Sequence, residues 1–185
     1  MSQPQTALTE STERALDSSQ PPWYVVHTKP RHEQTASDNL LRQGYEVYLP
    51  HIKVIKRVRG RQQALHEPLF PRYLFLQPGN AALSIAPVRS TLGVSTIVRF
   101  GQVPALMRAE TVQGIRAFEA SRNAVGDDQL SPLQQGVRVR IVDGLLAGLE
   151  GLISDVSKQR VIVLLQLIGK DTRVSMSQHQ LKAVE

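Results

Sequence analysis

Five basic side chains fall within nine positions: Lys53, Lys56, Arg57, Arg59 and Arg61, with apolar residues between them. A run of this kind can meet phosphates, each contact releasing condensed counterions, or it can be a solvated strand face. The chain carries 22 Lys and Arg against 16 Asp and Glu, net +6, a balance that suits polyanionic partners. Other chemistry is scarce. His27, His32, His51, His66 and His179 show neither HExxH nor HxxxH spacing, and no carboxylate cluster accompanies them, so no metal site is expected. There is no cysteine, which removes disulfides, thiolate metal sites and thiol nucleophiles. No GxSxG elbow is present. Gly144, Gly148 and Gly151 follow a strand-like run but lack the GxGxxG spacing of a nucleotide loop. No catalytic residue, cofactor or enzymatic activity is expected.

The second informative segment is residues 67–76, EPLFPRYLFL. Strand side chains alternate, so Tyr73 and Phe75 share one face while Leu74 and Leu76 share the other. Both faces are apolar, and the sequence offers only two good helices to cover one of them. The other face is expected to meet a second domain or a partner protein. Residues 23–27, WYVVH, are two-faced in the same way.

These segments must be positioned by a mixed fold. Strands are expected over residues 23–27, 45–49, 52–58, 72–77 and 94–100. Gly44, Gly60 and Gly101 serve as stops or turns. Helices are expected over 31–43, with Ala36, Leu40 and Leu41 inward, and over 108–121, with Val112, Ile115 and Phe118 inward. This pattern predicts an α+β fold, an antiparallel sheet with flanking helices. The C-terminal segment differs. Residues 137–142 alternate, and further strands are expected over 152–156, 160–168 and 172–176 between glycine-rich turns. They predict a small β-barrel with a thin core, the alternative being a helical hairpin.

Charge divides the chain in the same way. Residues 1–20 are net −2 and rich in Ser, Thr and Gln, the composition of a disordered tail. Residues 21–118 hold 13 Lys and Arg against five Asp and Glu, net +8. Residues 119–133 are net −2 with the make-up of a flexible linker, and residues 134–185, net +2, form the second domain. Neither a secretory leader nor a membrane span is visible, so the expected address is the cytoplasm.

Residues 23–30 (WYVVHTKP), 67–75 (EPLFPRYLF) and 91–101 (TLGVSTIVRFG) together resemble the N-terminal domain of NusG-type transcription elongation factors. Residues 137–151 and 166–170 (QLIGK) resemble the companion KOW domain. Within the family, Val58-Arg59-Gly60, residues 67–75 and Val98-Arg99-Phe100-Gly101 look closest to the RfaH-like specialised antiterminators.

The resemblance implies a monomeric factor that docks on the clamp helices of RNA polymerase and suppresses pausing and termination in selected operons. It assigns docking to Tyr24, Phe70, Tyr73, Phe75 and Ile97. It assigns contacts with the non-template DNA strand to Lys29, Arg59 and Arg61. Thr35, Asn39 and Leu92 stand where basic or His groups occur in RfaH-like members, and Ser84-Ile85-Ala86 replaces a His-Thr-Thr contact motif. Glu67 and Arg160 match an interdomain ion pair that holds the RfaH-like C-terminal domain, as a helical hairpin, over the docking face. The KOW domain implies the ribosomal protein NusE, and in the housekeeping factor Rho, as further partners. Two alternatives stay open: a housekeeping elongation and termination factor, and an RNA- or ribosome-binding module.

Overall fold

The structure is a computed structural model that describes residues 20–126, Leu146 and the helix 157–180, with the side chains of that helix over 158–171. The expected tail up to residue 19, the linker from residue 127 and the barrel strands at 137–142 and 152–156 lie outside the described residues, whereas residues 119–124, expected as flexible linker, are the last turns of a helix.

The main sheet is built on β1 (Trp23–Thr28), whose Val25 and Val26 are both fully buried, one on each face. β5 (Tyr73–Pro78) pairs antiparallel with one edge of β1, in a register that sets Val25 against Phe75 and His27 against Tyr73. β2 (Tyr45–Tyr48) pairs with the far side of β5. The other edge of β1 is shared by β6 (Val94–Ile97) and β9 (Leu106–Met107). The sheet order is thus β2-β5-β1-β6, with β9 beside β6 on β1. A short pair, β7 (Arg99–Phe100) and β8 (Val103–Pro104), closes the connection from β6 to β9.

The basic run forms β3 (His51–Val58) and pairs along its length with β4 (Arg61–Pro68). No strand is expected at 61–68 from the sequence, because RQQALHEP has no apolar alternation. The turn dictates it instead. Arg59 and Gly60 both adopt positive φ, 49° and 83°, as a two-residue type I′ turn requires. The chain is folded straight back, and backbone ladder bonds do the rest.

The helices α1 (Glu33–Arg42) and α2 (Ala109–Ala124) cover opposite faces. Ala36 and Leu40 of α1 pack with Val26, Leu74, Leu76 and Ile97. Val112 and Ile115 of α2 pack with Trp23, Val25, Phe70 and Phe75, as the spacing predicts. Leu41, expected inward, is 51% exposed, because it stands about 100° around the helix from the buried Leu40. Gly93 has a packing role: a Cβ there would lie 2.7 Å from the Ala36 nitrogen, so α1 can approach β6 only at glycine.

The largest correction concerns residues 157–180. The strands expected at 160–168 and 172–176 are instead one helix, α3 (Ser157–Gln180). Among the described side chains of α3, the buried positions are Arg160, Val163, Leu164, Leu167, Ile168 and Asp171, spaced i, i+3, i+4, i+7, i+8 and i+11. That is a helical stripe, and it packs with Leu146 on the α2 side of the sheet. The α+β class holds, and over these residues the helical alternative replaces the barrel. Among the described residues no helix is long and apolar enough to cross a membrane.

Candidate protein-docking face

The face carrying Tyr73 and Phe75 is an aromatic floor. Phe75 stacks on Tyr48 at 5.9 Å between ring centroids, and Phe70 meets Phe75 edge-on at 6.1 Å. Tyr73 tilts against His27 at 5.0 Å. Burial, then the nearby Arg72 charge, lowers the His27 pKa, which favours a neutral ring. Ile52, Val54 and Leu69 complete the floor, with Leu65 at its margin.

Helix α2 walls one side. Arg116 lies over the rings of Trp23 and Tyr48, at 5.4 and 4.8 Å. The Tyr48 hydroxyl donates to Glu119 at 2.6 Å, and the other oxygen of Glu119 accepts the His51 N–H at 2.7 Å. Burial first, then the hydrogen bond and charge of Glu119, push the Tyr48 phenol well above its usual pKa, with Arg116 opposing. Asn123 continues the seam, accepting from the Lys53 N–H and donating to the His51 carbonyl. These bonds tie the hairpin base to α2.

Helix α3 lies on the rest. Val163, Leu164, Leu167 and Ile168 share one apolar cluster with Phe70, Phe75 and the half-buried Tyr73. Arg160 has no exposed surface. Its Nε donates to the Leu69 carbonyl at 2.8 Å, and its Nη2 stands 3.7 Å from Glu67 Oε2. Glu67 also pairs with Lys56 through its other oxygen. A buried guanidinium is costly unless paired and hydrogen-bonded, and both conditions are met at the β4–β5 connection.

The residues implied as docking groups do not form one set. Phe70, Tyr73 and Phe75 share the α3 face, whereas Tyr24 and Ile97 belong to the opposite, α1-covered cluster. The alternation rule gives this split: Tyr24 is one residue out of phase with Val25, and Ile97 pairs with Val26. Tyr48, Ile52 and Leu69 line the face although sequence reasoning did not single them out. Tyr48 is discoverable from its register with Phe75.

The basic groups fall in two places. Arg59 and Arg61 stand exposed at the hairpin tip, where Arg57 Nε also binds the Gly60 carbonyl at 3.1 Å. Lys29 is exposed in the loop after β1, its backbone N–H donating to Gly93 at 2.9 Å. Among the described residues no cluster of three His, Asp or Glu could hold a metal ion.

Comparison with known proteins points in one direction. A family model described as "Transcription termination factor nusG" matches residues 21–116, just over half of the chain. A protein of Thermus thermophilus named "Transcription termination/antitermination protein NusG" is 28% identical over 177 residues, covering 83% of this chain and 94% of its own length. A Lactococcus lactis protein of the same name is 23% identical over 172 residues, covering 88% and 93%. One from Streptococcus pyogenes serotype M1 is 24% identical over 180 residues, covering 90% and 98%.

Proposed function

The chain belongs to the NusG family, and from that premise we propose that it is a specialised, RfaH-like antitermination factor held closed by its own C-terminal segment. One observation carries this reading: α3 lies on the aromatic floor of Phe70, Tyr73 and Phe75. A surface that accepts one amphipathic helix in cis is suited to a helical partner in trans. In this family that partner is the clamp helices of RNA polymerase. Docking there requires α3 to leave.

The proposed division of labour follows. The domain 21–118 binds polymerase through Phe70, Tyr73 and Phe75, with Tyr24 and Ile97 supporting the sheet from behind. Lys29, Arg59 and Arg61 meet the non-template DNA strand. Glu67 and Arg160 latch the closed form. Residues 125–133, beyond the end of α2, act as the linker, and residues 134–185, once released, recruit NusE. The housekeeping reading, in which the C-terminal domain serves Rho, is favoured by the names of the curated relatives.

Transcription over a long Rho-dependent template separates the two. The proposed factor lowers termination, and does so more strongly as Glu67→Ser than as the parent chain. Enhanced Rho-dependent termination by the parent chain overturns the proposal in favour of the housekeeping reading.

A further inference from the structure

We infer that Asp171 is a second interdomain lock, at the opposite end of the α3 interface from Arg160, which works by capping helix α2. The inference rests on the proposal that α3 is a removable cover.

Asp171 is only 5% exposed. Its Oδ2 accepts the backbone N–H of Arg108 at 3.0 Å and the Thr111 hydroxyl at 2.8 Å. Its Oδ1 stands 3.8 Å from Arg108 Nε. Arg108 is the N-cap residue of α2, and its own side chain makes no capping bond. The first turn of a helix leaves donors that a carboxylate satisfies well. Here the carboxylate comes from some 60 residues further along the chain.

The spacing along α3 fits a paired device. Asp171 lies eleven residues after Arg160, three turns at 3.6 residues per turn, so both project from nearly the same side. Val163, Leu164, Leu167 and Ile168 fill the interval. The signs do not serve α3 itself: Arg160 is a cation near its N-terminus, where a helix disfavours one. Each charge instead answers a group of the N-terminal domain, Glu67 for Arg160 and the α2 N-terminus with Arg108 for Asp171. The apolar stripe alone would tolerate rotation or a one-turn slide. Two buried charges forbid both, because either motion strands a carboxylate or a guanidinium away from its partners.

Amide hydrogen exchange over residues 161–170 of the full-length protein tests the lock. Asp171→Ala is expected to speed exchange roughly tenfold or more, the scale of losing a hydrogen bond to a charged group. It does so although alanine is the better helix former. Asp171→Asn, which keeps an acceptor, recovers much of the protection. Thr111→Val also speeds exchange, and its effect combined with Asp171→Ala is no larger than that of Asp171→Ala alone. Combined with Glu67→Gln, the Asp171→Ala effect multiplies. Unchanged exchange in Asp171→Ala beside faster exchange in Glu67→Gln overturns the lock while leaving the cover intact. Unchanged exchange in both overturns the cover itself. If Asp171→Ala fails to fold by circular dichroism, Thr111→Val alone decides, and unaltered exchange there counts against the lock.

Discussion

Arg160 and Glu67 meet across 3.7 Å with the guanidinium wholly buried and its Nε bound to the Leu69 carbonyl. The pair joins α3 to the connection between the hairpin and β5. Glu67→Gln removes the countercharge and leaves the buried guanidinium with weaker compensation. The expected loss is about 1–3 kcal/mol of interface stability. Backbone NMR shifts over residues 157–171 check it: helical in the parent chain, shifting away from helical values in Glu67→Gln.

Tyr73 and Phe75 both belong to the proposed docking face, and their truncations weigh differently on docking and on folding. Tyr73 is half-buried, so Tyr73→Ala is expected to weaken polymerase binding by about 2 kcal/mol, as a truncated aromatic hot spot does, while keeping the native circular dichroism. Phe75 is fully buried against Phe70 and Tyr48. Phe75→Ala is expected to lose about 3–5 kcal/mol of stability through the cavity it leaves, seen as a fall in the midpoint of chemical denaturation.

The hairpin tip can be tested without disturbing the fold. Arg59 sits at φ 49° in the turn, and asparagine tolerates that region. Arg59→Asn and Arg61→Gln are expected to leave stability within about 0.5 kcal/mol. On a transcription bubble complex each should lower the salt slope of affinity by roughly 0.7, the value for a lost single-strand phosphate contact. Lys29→Gln is expected to act alike. An unaltered slope removes that residue from the DNA contact.

Tyr48 makes stability pH-dependent on the alkaline side. Its phenol is harder to ionise in the folded protein than at the ordinary value of 10.0. The unfolded chain therefore releases this proton first as pH rises. The contribution of Tyr48 is complete below about pH 10 and declines above it. Tyr45, raised by burial, adds in the same direction. Denaturation midpoints above pH 10 should fall with pH, and less steeply in Tyr48→Phe.

Much of this protein is written locally. Residues 23–26 and 73–76 read as two-faced strands because apolar or aromatic residues occupy both faces. Val112, Ile115 and Phe118 mark the inner side of α2 by helical spacing alone. Gly60 declares a turn, since few other residues accept its conformation at φ 83°. No local pattern announces the 3.7 Å approach of Glu67 and Arg160, which lie 93 positions apart in the chain.

Other features were decided only by the tertiary structure. β4 exists because the Arg59-Gly60 turn and the ladder with β3 impose it on a sequence without strand periodicity. Tyr24 and Ile97 face α1 because the register of β1 sets their side. The run Val161 to Ile168 is the clearest case. Apolar residues on all sides satisfy a period of 2.0 as well as 3.6, so sequence by itself determined that the segment would be buried and left its conformation open. The aromatic floor selects the helix, since a helical stripe of Val163, Leu164, Leu167 and Ile168 fits it between the two buried charges. Ile162 and Leu165 are left exposed on the outer side. A single contact face can use only one side of such a run, and which side is a property of what it packs against.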